Sequence, residues 1–203
     1  MSDAGTESRD GDRTADGPVA RVLIVEDEPN VADLYRSTVE AQGYEVDVAT
    51  TTAEATGKLE PSYDIALLDR RLPDGHGEDV LAEIRDRELD VRVGMVTAVE
   101  PDFDIVEMGF DLYVLKPLSR DDLLDAVETL RSRSQYDTRL QRTAALASKR
   151  ATLETEKPRE RLAGSEEYRQ LVDQLDELDT ELDQLAERFD TDDYRRLFKD
   201  IDT

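Results

Sequence analysis

Between positions 21 and 130 the chain alternates two kinds of hydrophobic pattern. Arg21-Val22-Leu23-Ile24-Val25 and Ile65-Ala66-Leu67-Leu68 are short runs of the kind a strand covered on both faces requires. Positions 44–49 set Val46 and Val48 against Glu45 and Asp47, the two-residue period of a strand. Positions 91–96 and 112–115 read as two further strands. The stretches between have helical period, at 29–42, 52–60 and 78–87, with a weaker one at 102–108. Pro29 suits the first turn of its helix, Gly43 its stop, and Pro61 ends the next one. Ser119 followed by Asp122 has the spacing of a capping box, opening a helix through Leu123, Leu124, Val127 and Leu130. Strands alternating with helices predict an α/β fold, a five-stranded parallel sheet with helices on both faces. Ligands of such sheets bind outside the carboxyl ends of the strands.

After about Ser132 the pattern changes. Strand runs vanish and Ala, Leu, Glu, Arg and Asp dominate. A helix over 136–156 has a weak apolar stripe in Leu140, Ala144, Ala147 and Ala151. A second has Tyr168, Leu171, Leu175, Leu178, Leu182, Leu185 and Phe189 at alternating three- and four-residue steps, a coiled-coil seam. Pro158 and Gly164 between them predict an antiparallel helical hairpin, a small all-α domain. Thr191 is placed to cap a last short helix carrying Tyr194, Leu197, Phe198 and Ile201. The pattern divides the chain into an acidic tail at 1–19, expected to be disordered, an α/β domain at 20–133 and a helical domain at 134–203.

Charge changes how this picture is read. The 203 residues hold 50 acidic and 26 basic side chains, a net charge of -24. Lysine is scarce and arginine common, a balance resembling proteins that work in molar salt. At ~1 M salt the Debye length is about 3 Å, so this charge does not by itself argue against a nucleic-acid partner. Cysteine is absent, which excludes disulfides and thiol chemistry. No apolar run approaches the roughly 20 residues of a membrane span, and the first residues lack the apolar core of a signal peptide, so no membrane insertion and a cytoplasmic location are expected. Between Arg131 and Arg161 basic residues outnumber acidic ones, and beyond Leu162 the balance reverses. A basic helix lying against an acidic one within the chain is one reading. A phosphate or an acidic partner on the basic helix is the other.

Four stretches hold the candidate chemistry: Glu26-Asp27 after the first strand, Asp69 after the third, Thr97-Ala98 after the fourth and Lys116-Pro117 after the fifth. Singly, each is an ordinary loop residue. Jointly, in this order and with helix-sized gaps, they predict one converging rim. Clustered carboxylates suit a hard cation such as Mg²⁺, with Asp27 and Asp69 as direct ligands and Glu26 acting through a water. Asp69 is then placed as a carboxylate nucleophile toward a phosphoryl donor. Lys116 offsets charge on the phosphoryl oxygens, and Thr97 offers them a hydroxyl. His76, the only histidine, stands in a Gly-flanked loop and is expected to be exposed.

On these residues, with Pro73 and Gly77 behind Asp69, the chain from 21 to 133 resembles the receiver domain of two-component response regulators. The resemblance implies a doubly wound, flavodoxin-like fold. It also implies Mg²⁺-dependent phosphorylation of Asp69 by a histidine kinase, followed by slow self-catalysed hydrolysis rather than enzymatic turnover on a substrate. It implies a metal-binding backbone carbonyl at Arg71 and a switch in which Thr97 moves toward the phosphoryl group while Tyr113 turns inward. Arg71 and Val99 would flank the path of the hydrolytic water. A haloacid-dehalogenase-type enzyme also uses a nucleophilic Asp with Mg²⁺, but it wants a second Asp two residues on, where Arg71 stands.

The helical tail resembles the HalX domain of haloarchaeal regulators in position, length and hairpin pattern. Two outputs follow. The tail regulates transcription, directly or through a partner, or it serves dimerisation or kinase contact, for which the seam of Leu171, Leu175, Leu178, Leu182 and Leu185 is equally suited. A homodimer through the receiver or the tail fits either output. With no helix-turn-helix and no aromatic stacking surface, direct DNA reading has little support in the sequence.

Overall fold

The structure, a computed structural model, describes residues 19–101 and 103–187. Five strands form one parallel sheet: β1 (Arg21–Val25), β2 (Glu45–Ala49), β3 (Ile65–Leu68), β6 (Arg92–Thr97) and β7 (Leu112–Leu115), in the spatial order β2-β1-β3-β6-β7. The short strands β4 (Arg71–Leu72) and β5 (Gly75–His76) make a separate antiparallel hairpin within the loop that holds His76. Helices α1 (Pro29–Glu40), α2 (Thr52–Lys58) and α3 (Gly77–Asp86) fill the gaps where helical period was seen, and 102–108 contains a 3-10 turn at Phe103–Glu107.

Alternation along the strands divides the core. Leu23, Val25, Ala66, Leu68, Val93 and Met95 face α2 and α3, meeting Ala55, Val80, Leu81 and Ile84. Val22, Ile24, Ile65, Leu67, Val96 and Val114 face the other way, against Tyr35 and Val39 of α1 and Leu123, Val127 and Leu130 of α4 (Arg120–Glu156). The sheet is thus wound on both faces. β3, central and buried at every residue, is the continuous apolar run, while β2 at the edge is the one that alternates.

Helix α4 is the main departure from the sequence reading. It runs unbroken over Arg120–Glu156, 37 residues, where two helices in two domains were expected. The capping box is formed: Ser119 Oγ accepts from the Asp122 N–H at 3.1 Å, and Asp122 Oδ2 accepts from the Ser119 N–H at 3.0 Å. No glycine or proline interrupts the stretch, so a change in composition does not stop the helix. The rod is about 55 Å long, and its first third is part of the sheet's outer layer. At the transition it is tied to the amino ends of the strands. Arg92 Nη2 meets Asp137 Oδ2 at 2.5 Å, Arg92 Nη1 meets Asp111 Oδ1 at 3.2 Å, and Arg133 donates to the Asp111 carbonyl.

The hairpin is antiparallel as expected. Short α5 (Arg159–Ala163) turns the chain, and α6 (Glu166–Glu187) runs back along α4. Arg139 Nε pairs with Glu181 Oε2 at 2.5 Å, and Tyr168 Oη donates to Glu154 Oε1 at 2.6 Å near the apex. The basic helix therefore does lie against the acidic one. Leu175, Leu178, Leu182 and Leu185 are buried and Leu171 is half-buried, so the seam is filled within the chain. Its counterpart on α4 is not the stripe Leu140, Ala144, Ala147 and Ala151, all of which are exposed. The half-buried row is Tyr136, Arg139, Thr143, Leu146, Arg150 and Leu153, in which long arginine stems cover apolar surface while their guanidinium groups pair with Glu181 and Glu154. Phe189 and the residues of the expected last helix lie outside the described residues, as does the tail before Val19.

Candidate functional site

The rim at the carboxyl ends of β1, β3 and β7 brings four predicted groups together. Asp69 follows β3 directly, and its N–H donates to the Val25 carbonyl at 2.9 Å, which locks it beside the end of β1. Glu26, the residue that follows β1, donates its N–H to the Ala49 carbonyl at 3.0 Å, and its side chain is 2 % exposed. Lys116 follows β7 and reaches across both: its Nζ lies 2.5 Å from Asp69 Oδ2 and 2.6 Å from Glu26 Oε2. Asp27 is exposed, and carboxylate oxygens of Glu26, Asp27 and Asp69 lie within 4.8 Å of one another. The Lys116-Pro117 peptide is cis.

The electrostatics follow from burial. Desolvation pushes the Glu26 carboxyl up, and the hydrogen bond from Lys116 only partly offsets it. Burial pulls the Lys116 ammonium down, but its bonds to Asp69 and Glu26 outweigh that and hold it above the ordinary lysine value. Three carboxylates facing one ammonium leave two negative charges without a partner. That is the donor set and charge a divalent oxygen-seeking cation fits.

The remaining predicted residues surround this core. Thr97 ends β6 rather than following it. It is 1 % exposed, its Oγ1 accepts from the Val99 N–H at 3.2 Å, and its carbonyl accepts from the Lys116 N–H at 2.9 Å. Ala98 is exposed beside it. Arg71 opens the small hairpin with an exposed side chain, and its N–H donates to Asp69 Oδ1 at 3.1 Å. Arg71 and Val99 are both walls of an open cleft of about 650 Å³, with Arg70, His76, Glu78 and Glu100. His76 is exposed, as expected. Tyr113 is turned in and buried, its Oη donating to the Val99 carbonyl at 2.7 Å and its ring 5.5 Å from that of Phe110.

Three supports take their reasons from the structure; of these only Gly77 was singled out in the sequence, as part of the resemblance. Gly77 packs so close that a Cβ there would fall on the Asp69 carbonyl oxygen, which makes glycine obligatory at the start of α3. Asp74 accepts from the N–H groups of Thr52 and Ala53 at 2.8 and 3.0 Å, pinning the β4–β5 hairpin to the first turn of α2. Tyr35 of α1 is buried, and its hydroxyl is pushed up by desolvation, with the field of Lys116 lowering it and those of Glu26 and Asp69 raising it, which places it in their neighbourhood. On the sequence Tyr35 was one of several apolar-face positions of a helix, with nothing to set it apart.

Comparison with known proteins agrees with this geometry. The family model of the response regulator receiver domain matches residues 22–128, more than half of the chain, and that of the HalX domain matches 132–198. The chain belongs to the response regulator receiver family, and a HalX domain follows the receiver. A protein of Haloferax volcanii, provisionally named a transcriptional regulator, is 44% identical over 134 residues, covering 66% of this chain and 23% of that protein. Response regulator SaeR of Staphylococcus aureus is 31% identical over 118 residues, 57% of this chain and 52% of its own. The chain thus spans between a quarter and a half of these relatives' lengths. Among solved structures, a CheY-like receiver domain protein from Methanospirillum hungatei superposes with a TM-score of 0.54 at 29% identity, covering 59% of this chain and 98% of that one. The non-phosphorylated HemR receiver domain of Leptospira biflexa gives 0.52 at 30% identity, covering 55% and 93%. Among the described residues no helix is long and apolar enough to cross a membrane.

Proposed function

We propose that Asp69 is the phosphoacceptor of a Mg²⁺-dependent signalling switch whose donor is a histidine kinase. The observation that carries this is the contact of Lys116 Nζ with Asp69 Oδ2 and Glu26 Oε2, beside the exposed Asp27. Asp27 and Asp69, with Glu26 behind them and the Arg71 backbone carbonyl, would hold the ion. Bound there, it would neutralise oxygens of the phosphoryl group. An Asp69 carboxylate oxygen attacks the phosphorus of a phosphohistidine. The new O–P bond forms as the P–N bond breaks, and the imidazole leaves as the neutral base after taking up a proton. Lys116 holds a second side of the phosphoryl group, and the Thr97 hydroxyl donates to one of its oxygens. Tyr113, already turned in and bound to the Val99 carbonyl two residues beyond Thr97, would respond when Thr97 moves toward the phosphoryl group. Incubating the chain with acetyl phosphate and Mg²⁺ and weighing the intact protein tests the reading: wild type gains one phosphoryl group and Asp69→Asn gains none.

For the output, we propose regulation of transcription through the helical tail. The HalX match behind the receiver and the regulator name of the Haloferax relative support it. Protein contact without DNA binding is the second reading. Fluorescence anisotropy on promoter DNA in molar KCl separates the two: sequence-specific binding that changes with phosphorylation is expected, and its absence in both states assigns the tail to protein contact.

A further inference from the structure

Where the hairpin turns, it encloses a hollow that the phosphoryl site does not use. Lys157 leaves α4 in an extended conformation, and Pro158 and α5 carry the chain aside before α6 begins. Leu153 of α4, Leu162 of α5 and Tyr168 of α6, each half-buried, are thereby left around a cavity of about 410 Å³. Lys157, Arg161 and Glu167 stand at its edge, all exposed.

The polar groups here divide into those already engaged and those left over. Tyr168 Oη donates to Glu154 Oε1 at 2.6 Å, and the same oxygen accepts from Arg150 Nε at 2.8 Å. The Glu167 carboxylate accepts from the Ser165 hydroxyl at 2.7 Å, and Ser165 Oγ accepts from the Tyr168 N–H at 3.1 Å. The side chains of Lys157 and Arg161 have no acidic or hydrogen-bonded partner among the described residues, in a chain with 50 acidic side chains against 26 basic ones. Two cations against one carboxylate leave the edge of an apolar hollow positive.

We infer that this hollow binds a small amphipathic anion, an aromatic or branched apolar body carrying one acidic group. The volume lies within the roughly 300–1,000 Å³ of small-molecule sites, and an apolar lining with few polar groups is their usual make-up. The apolar body takes Leu153, Leu162 and Tyr168 out of water, and the acidic group sits between Lys157 and Arg161. Salt favours a small ligand over a polyanion. With a Debye length of about 3 Å at 1 M, a cation acts only at contact, while apolar burial is not screened. A nucleic acid would find two free cations here with Glu160 and Glu166 beside them in the chain. A molecule seated in the hollow touches α4, α5 and α6 about 30 Å along the rod from Asp137. It gives the tail an input of its own, and the inference does not rest on the chemistry of Asp69.

The test uses 1-anilinonaphthalene-8-sulfonate, an aromatic anion whose emission rises out of water, titrated onto the full chain in molar KCl. Its uncharged analogue N-phenyl-1-naphthylamine is titrated in parallel. Wild type is expected to show one saturable site for the sulfonate. Lys157→Gln with Arg161→Gln should weaken the sulfonate about tenfold and the uncharged analogue by no more than about twofold. Arg142→Gln with Lys149→Gln, which removes the same charge elsewhere on the hairpin, should change neither. Leu162→Asp should abolish binding of both probes. Equal sulfonate affinity in wild type and the Lys157–Arg161 variant overturns the proposal. So does an equal loss in the two double variants, which would reduce the effect to net charge, or a titration that never saturates. Because those four cations are exposed or solvent-facing, the double variants decide the matter even where Leu162→Asp disturbs α5.

Discussion

Lys116 carries two jobs that pull apart when it is changed. It is the counter-charge of Glu26 and Asp69, and it is the group expected to hold the transferred phosphoryl. Lys116→Met leaves a buried carboxylate facing a second one, which costs about 3 kcal/mol or less, because Glu26 can take up a proton instead. A divalent cation restores the missing charge. Thermal melts should therefore show a larger Mg²⁺-induced rise in Tm for Lys116→Met than for wild type, and an equal or smaller rise would count against the shared charge cluster. Arg71 and Val99, on the walls of one cleft beside Asp69, are expected to slow water's approach to the phosphoryl group. Phosphate release should quicken in both Arg71→Ala and Val99→Ala, and unchanged rates would remove them from that role. The residues of this site were legible because each ends a strand, and strand ends were legible from apolar runs. Gly77 was legible only as a member of the resemblance, without its reason, a close backbone approach to Asp69, and Tyr35 was not legible at all, because a position on a helix face leaves no mark in a single sequence.

At the scale of elements, the expected strands and helices recur within a residue or two, because each is bounded by local chemistry such as Pro29, Gly43 and the Ser119–Asp122 capping box. The helix running through the joint between the two modules was read as two for a physical reason. Composition shifts near Ser132, yet helix formation needs only the absence of breakers, and the buried Ser132 sits within an uninterrupted α4. The α4 row facing α6 was equally hidden. It mixes Arg139, Thr143 and Arg150 with leucines, while the more apolar-looking stripe faces away. Continuity makes the rod a mechanical link between receiver and tail. Ser132→Pro removes a helical N–H and adds a clash, costing about 3 kcal/mol locally. Limited proteolysis should then cut near 132 and release a receiver that still accepts phosphoryl, whereas an uncut chain would show that the ties from Arg92 and Arg133 hold the modules together without the helix.

The molecule as a whole is a receiver whose last helix becomes the first helix of its HalX domain, all of it under a net charge of -24. At low salt that charge repels itself over about 10 Å at 0.1 M and repels nucleic acid with it, so every assay of partner binding belongs in molar KCl. The central claim remains the acceptor. Phosphorylation by acetyl phosphate in molar KCl with Mg²⁺, followed by borohydride trapping of the acyl phosphate and peptide mapping, locates the group directly. The label is predicted on Asp69 alone, abolished by chelating the divalent ion and in Asp69→Asn. Label on any other side chain, or on Asp69 undiminished by chelation, would contradict the account.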